Sequence, residues 1–238
     1  MLCTRVLLIV LIALAPMHVA AGGWARGQGQ SFVSISHSRS TTQTALAFGD
    51  TGTDGYTMLY IEYGLTDHLT FGLDAGESAT SHQTVAFLRY TLTDPSDRTQ
   101  ISFDLGGGDR AYEFTPDMTL LRFGLSAGRG LSAEGLARLP MITPQGGWLG
   151  LEAIALYDRT HDTLDWTFEV TLGLALTNRD KLILQMLHSD VAGANRALTI
   201  TSSYVRDFWG HTSVRFASQF GLGGTDHIGV EVGIWRRF

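Results

Sequence analysis

Alternation of apolar and polar residues with a period of two recurs along this chain and is the feature that most restricts its fold. In residues 164–177 the even-numbered positions are all Leu, Trp, Phe or Val, and the odd-numbered ones are Asp, Thr, Glu, Gly or Ala. Successive side chains of a strand point to opposite faces, so this pattern predicts a β-strand with one apolar face. Its length exceeds the usual strand of about 5–6 residues and suits a strand that crosses a membrane at a tilt.

The chain offers no apolar segment that predicts a membrane-spanning helix after its first residues. No apolar stretch of about 18 residues follows residue 21. Strands can cross lipid only as a closed barrel, because every backbone N–H and C=O must be paired there. Charged residues make up 17% of the chain, against about 25% in a typical water-soluble domain. These features predict an all-β fold, an up-and-down antiparallel transmembrane β-barrel.

Two classes of turn alternate along the chain, as expected when successive turns lie on opposite sides of a membrane. Short turns that contain Asp or Asn are predicted at 66–68, 93–97, 177–180 and 206–210. Turns of a different character are predicted between them, at 49–55, 76–81, 106–117, 158–162, 191–196 and 223–226.

This alternation predicts about twelve strands, with ten or fourteen as alternatives. An even number keeps both ends of the barrel on the periplasmic side. Residues 31–48 form either one long strand or two short ones, and 128–147 hold a short helix or a hairpin. The predicted strands are 31–48, 55–65, 68–77, 82–92, 98–106, 117–127, 146–158, 162–177, 180–190, 196–206, 210–222 and 226–238.

The first residues have the pattern of a cleaved export signal. A short basic segment precedes an apolar run of ten residues at 6–15, and small residues follow it. This arrangement is typical of a secretory signal peptide, and the run is too short to span a bilayer as a helix. We expect a signal peptide at 1–21, a periplasmic N-terminal segment at 22–30 and the barrel at 31–238. Cys3 falls within the signal, so no disulfide or thiol chemistry is expected of the mature protein.

The polar half of each strand is expected to line the lumen, because an Arg on the lipid face costs roughly 2–4 kcal/mol at the midplane. Twelve strands enclose more space than side chains alone fill. Either the charges pair into a closed network, or they line a narrow aqueous path whose acidic excess favours cations or neutral solutes. The predicted lumen-lining residues are Glu62, Asp74, Arg89, Asp104, Arg122, Glu152, Asp165, Glu169, Arg215 and Glu231, and the same parity includes Arg237, Gln100, Gln185 and Gln219.

No catalytic, metal or cofactor site is predicted. His188 and Ser189 are adjacent, so in a strand they point to opposite faces and cannot easily act as base and nucleophile. The other histidines lack ligand-like spacing, and the net charge of −6 offers no basic stripe for a nucleic acid. Aromatic residues near strand ends, including Tyr60 and Trp148, are expected in interfacial girdles, whereas parity points Trp235 inward.

The last twelve residues, 227–238, resemble the C-terminal signature of outer-membrane barrels, in which alternate apolar residues precede a terminal aromatic one. Arg236 departs from the apolar pattern. The resemblance implies an outer-membrane location and insertion by the barrel-assembly machinery. The residues that would carry this assembly signal are Ile228, Val230, Val232, Ile234 and Phe238.

Two other patches, 23–33 and 60–72, resemble uncharacterised proteobacterial outer-membrane proteins. These proteins are loosely similar to the family of transporters assigned to the phenol-degradation (MetA) pathway. The resemblance implies passive transport, and no catalytic residue carries over from it.

The leading hypothesis from the sequence is an outer-membrane channel or uptake porin for small solutes. Its expected partners are outer-membrane lipid, the assembly machinery and a small solute. A structural or adhesion-type barrel with a closed lumen is the alternative. A lipid-modifying enzyme is a third, for which no Ser–His pair stands at a suitable spacing.

Overall fold

Twelve antiparallel strands close into a single barrel in this computed structural model, each paired with its sequence neighbour and β1 with β12. The structure describes residues 23–49, 54–113, 117–137, 143–193, 196–222 and 226–238, so the expected signal peptide lies outside the described residues. The predicted fold class is confirmed. The strands are β1 (Ser31–Thr42), β2 (Asp54–Gly64), β3 (Leu69–Ser78), β4 (Ser81–Thr91), β5 (Thr99–Tyr112), β6 (Met118–Ser132), β7 (Gly146–Asp158), β8 (Thr163–Ala175), β9 (Asp180–Asp190), β10 (Ala197–Trp209), β11 (Thr212–Leu222) and β12 (His227–Arg237).

Two short helices, α1 (Gln43–Ala47) and α2 (Ala133–Leu136), interrupt the strands within the described ranges. The Thr42 hydroxyl accepts a hydrogen bond from the Ala45 N–H at 3.0 Å and ends β1 by capping α1. The expectation that strand structure continues to residue 48 is therefore wrong. Ser132 caps α2 in the same way, which places a short helix in the irregular stretch 128–147.

Two predicted turns are instead parts of strands. β5 continues through 106–108 to Tyr112, where the sequence predicted a loop. Gly108 is required there by a close approach of the backbone, since a Cβ would lie 1.8 Å from the Thr84 carbonyl oxygen of β4. β10 likewise runs to Trp209 and contains a register shift after Asp207, so the turn that was predicted at 206–210 begins later.

The two faces of the barrel differ sharply in burial. On β12, Val230 and Val232 are 63% and 50% exposed on the outside, whereas Glu231 between them is 6% exposed. The same contrast separates Trp166 from Asp165 on β8. In the described part of the chain, no helix is long and apolar enough to span a bilayer. The apolar sides of the strands therefore face outward and the charged sides face inward.

Pairing of β1 with β12 closes the barrel. The register runs from Phe32 opposite Arg237 to Thr42 opposite His227. At the end of this ladder, the Ser31 N–H donates to the Phe238 carbonyl at 3.2 Å, and the Phe238 N–H donates to the Ser31 carbonyl at 3.0 Å.

Candidate functional site

Arg89 is the centre of an ion-pair network inside the barrel, and it is 1% exposed. From β4 its guanidinium contacts Glu62 of β2 at 2.7 Å and Glu152 of β7 at 3.2 Å. Asp104 of β5 lies 3.6 Å from the same guanidinium and pairs with Arg122 of β6 at 2.7 Å. Strands that are not neighbours in the sheet are thus linked through the lumen.

A second network occupies the opposite wall. Arg215 of β11 contacts Glu231 of β12 at 2.7 Å. It also donates to the Ser203 hydroxyl at 3.0 Å and to Oε1 of Gln185 at 3.0 Å. Gln185 in turn donates from Nε2 to Oε1 of Glu169 at 2.9 Å, so the network ends on a carboxylate of β8.

A cavity of about 300 Å³ lies in the lumen and is lined by members of both networks. Its walls combine charged and apolar side chains, as small-molecule sites commonly do. The charged lining residues are Arg26, Glu62, Asp74, Arg122, Glu152, Glu169 and Arg215. The apolar and aromatic lining includes Phe32, Met58, Tyr60, Trp148, Ile154, Ile183 and Trp235.

Two carboxylates on this cavity have no ion-pair partner within 4.0 Å among the described residues: Asp74 and Glu169. Glu169 accepts hydrogen bonds on Oε1 from the Thr171 hydroxyl at 2.6 Å and from Gln185. Glu169 also stands directly opposite Glu152 in the β7–β8 register. Like charges in that position repel each other.

An apolar cluster forms another part of the lumen. It is built on Trp148, Ile183 and Val205, with Trp24 and Trp235 packed against it. Trp148 lies over a glycine of β8, where any side chain would collide with the indole ring. The indole Nε1–H of Trp148 is buried and has no acceptor in the described part of the chain.

The N-terminal segment before β1 enters the lumen rather than lying apart from the barrel wall. Trp24 packs on Gly128 of β6, where a Cβ would lie 2.2 Å from the indole ring. The Arg26 Nε–H donates to Oε2 of Glu62 at 2.5 Å, and the Arg26 backbone N–H donates to the Thr70 hydroxyl at 3.0 Å. Residues 23–30 carry no strand alternation, so their placement in the lumen could not be predicted from the hydrophobic pattern.

Comparison with solved structures finds outer-membrane proteins that align over nearly their whole length. The KdgM porin aligns with a TM-score of 0.58 at 9% identity, covering 86% of this chain and 99% of that one. An outer-membrane channel from Pseudomonas putida F1 aligns at 0.55 with 12% identity, covering 93% and 100%. Omp33 from Acinetobacter baumannii aligns at 0.51 with 9% identity, covering 89% and 99%.

The chain has the fold of outer-membrane channel barrels. At these identities the likeness shows the fold alone. No family model matches the sequence, and no curated protein matches it. The similarity to the phenol-degradation transporters is therefore a resemblance that the comparisons do not show.

Not every residue predicted to line the lumen borders the central cavity. Asp165 pairs with Arg110 at 2.6 Å towards the end of the barrel away from the N-terminal segment. Arg237 contacts Asp207 at 3.4 Å near the opposite end. Gln100 is buried there and donates to backbone carbonyls of the β4–β5 turn. Gln219 donates to Glu231 at 3.1 Å and extends the second network.

The girdle assignment is wrong for two aromatic residues. Tyr60 and Trp148 both line the lumen cavity. The Tyr60 hydroxyl donates to Oε1 of Glu62 at 2.6 Å, which satisfies it inside the barrel. Their even-numbered positions share the parity of Glu62 and Glu152, so strand parity was the signal that could have identified them. Trp235 also lines the cavity, on the inward side where parity placed it.

The residues considered for catalysis are separated. The His188 ring packs against the outward-facing Trp166, with ring centroids 5.0 Å apart, and the next residue, Ser189, has the inward parity. Among the described residues, no group of three or more His, Cys, Asp or Glu side chains is arranged to hold a metal ion.

The C-terminal strand presents its apolar residues outward, with Ile234 55% exposed and Phe238 63% exposed. The Arg236 guanidinium lies over the Phe238 ring at 4.9 Å. Arg236 is the basic residue on the apolar face of the C-terminal signature, and this cation–π contact gives it a partner at the rim of the barrel.

Proposed function

We propose that the protein is an outer-membrane channel that passes small solutes through its lumen. The observation that carries this proposal is the cavity at the centre of the barrel, bordered by the unpaired carboxylates Asp74 and Glu169. A lumen that served only to hold the barrel together would be expected to pair or exclude such groups, because a charge kept from water needs a partner.

The fold supports the proposal. The solved structures to which this chain is similar include a porin and an outer-membrane channel. They also include the KdgM porin in complex with disordered oligogalacturonate. The apolar outer face meets the requirement of a lipid environment. We infer export by the predicted signal peptide and insertion through the C-terminal strand by the assembly machinery.

The N-terminal segment is expected to limit conduction. Trp24 and Arg26 lie inside the barrel at the end where both β1 begins and β12 ends. Their side chains occupy space that a solute would need. We therefore expect a small conductance from the native chain and a larger one when these side chains are shortened.

Single-channel recording in planar bilayers tests the proposal. The native chain is expected to give discrete steps, and Trp24→Ala with Arg26→Ala is expected to give larger steps. Arg159→Ala, in the exposed turn after β7, is the control and should leave the steps unchanged. A flat trace from both the native and the double variant, in protein that is folded and heat-modifiable on gels, would refute the channel. That result would favour a structural barrel with a closed lumen.

A further inference from the structure

We propose that the lumen cavity binds a small organic cation, in which an ammonium or guanidinium group is attached to an apolar body. The proposal deepens the proposed channel function by naming the class of solute. It rests on the charge balance of the cavity wall, on the aromatic surface beside it and on a contact that the chain makes with itself.

The ion pairs of the wall do not include all of its carboxylates. Arg122 pairs with Asp104, and Arg215 pairs with Glu231. Among the described residues, the lining groups that have no ion-pair partner within 4.0 Å are two carboxylates, Asp74 and Glu169. A mobile ligand that enters this cavity therefore meets two carboxylates that are not held in an ion pair with any described residue.

Glu169 is the better placed of the two to receive a cation. Both of its hydrogen bonds, from Thr171 and Gln185, fall on Oε1, and no donor contacts Oε2 within the described chain. Its side chain is partly exposed on the cavity wall. It also faces Glu152 across the β7–β8 ladder. A bound cation between these carboxylates would relieve the repulsion that such a pair creates.

Aromatic side chains beside the carboxylates supply a surface for the apolar body. Trp148, Trp235 and Phe32 border the same cavity, and aromatic faces attract cations as well as apolar groups.

The chain itself shows that this wall accepts such a group. The Arg26 guanidinium lies 4.7 Å above the Phe32 ring and contacts Glu62 at 2.5 Å. A guanidinium held between a carboxylate and an aromatic face is the contact proposed for the solute. A cavity of about 300 Å³ is of the size of small-molecule sites, which suits one aromatic ring with a short amine arm.

Three compounds of nearly equal shape test the class: tyramine, which is a cation; tyrosol, which is neutral; and 4-hydroxyphenylacetate, which is an anion. Binding to the full purified chain in detergent is measured by calorimetry at pH 7. Tyramine should bind about tenfold more tightly than tyrosol, a factor typical of one charged hydrogen bond. The anion should bind more weakly than both. Equal or tighter binding of the neutral or anionic compound overturns the proposal.

Variants locate the site. Glu169→Gln should weaken tyramine binding about tenfold and leave tyrosol unchanged, since only the charge is removed. Glu134→Gln, on the exposed surface of α2, is the matched control. If Glu169→Gln does not fold to a heat-modifiable barrel, Asp74→Asn takes its place with the same expected direction. Unchanged tyramine binding in a folded variant overturns the site.

Conductance separates this proposal from the channel itself. If the chain conducts but prefers the neutral or anionic compound, the cation class fails and the channel stands. If tyramine binds as expected but bilayers show a flat trace, the binding site stands and the channel fails.

Discussion

Replacing Arg89 with Met would remove the cation on which three lumen carboxylates converge. Glu62 would keep Arg26 at 2.5 Å, and Asp104 would keep Arg122 at 2.7 Å. Glu152 would lose its only ion pair among the described residues and keep one hydrogen bond, from the Ser126 hydroxyl at 3.3 Å. The substitution therefore leaves one carboxylate without a cation.

The cost follows from how far that carboxylate can regain water. Removing one partner of a buried ion pair typically destabilises a protein by about 3–5 kcal/mol. The Glu152 side chain is 24% exposed on the cavity, so partial hydration places the expected loss near the lower end, about 3 kcal/mol. Adding Glu152→Gln removes the orphaned charge and should recover about half of this loss.

Equilibrium unfolding in urea, with the barrel in lipid vesicles and tryptophan fluorescence as the readout, measures both values. Arg159→Met removes an exposed arginine and should change stability by no more than about 0.5 kcal/mol. A loss below about 1 kcal/mol for Arg89→Met, or no recovery in the double variant, would show that the ion-pair network does not stabilise the barrel.

Three further tests probe other parts of the barrel. Gly173→Ala puts a Cβ about 2.1 Å from a buried indole ring and should destabilise by about 1–3 kcal/mol in urea unfolding, whereas Gly130→Ala, whose nearest atom is 4.0 Å away, should be nearly neutral. Hydrogen bonds from the Ser96 hydroxyl and backbone N–H lower the pKa of Asp94, so their contribution to stability is lost as the pH falls through that pKa. Ser96→Ala should raise the pKa of Asp94 in an NMR titration, and an unmoved pKa would contradict this. Phe238→Ala should reduce the heat-modifiable barrel recovered from outer membranes, and undiminished recovery would remove this residue from the assembly signal.

Strand alternation predicted most of the architecture because every membrane-spanning strand has lipid on one side and the charged lumen on the other. This arrangement requires a period of two, which is why 164–177 and 227–238 were assigned in the correct orientation. One error lies at the end of a strand, where the alternation stops. Thr42 caps a helix at the end of β1, and capping depends on only a few residues.

The glycines at 106–108 show a second limit of sequence reasoning. A glycine in a turn supplies a positive φ, and a run of glycines therefore predicts a turn. At 106–108 the glycines instead permit a close approach between neighbouring strands. These two uses cannot be told apart without knowing the neighbouring strand.

The sequence predicts which charged side chains line the lumen, but it does not predict which of them form ion pairs. Parity identifies which side chains point inward, as for Arg89 and Glu169, because it depends on a residue's own strand. Which of them pair depends on strands far apart in sequence, such as β4 with β7. Trp24 and Arg26 lie in a segment without hydrophobic alternation, so parity could not predict that they enter the lumen.

The pairing of β1 with β12 also bears on the order of folding. Each of the other ladders joins strands that are neighbours in sequence, but this one joins residue 32 to residue 237. Loop-closure entropy rises with about (3/2)RT ln n, so this ladder is the most expensive to nucleate. It is expected to form last, and until it does, two strand edges remain unpaired and open to association with other chains.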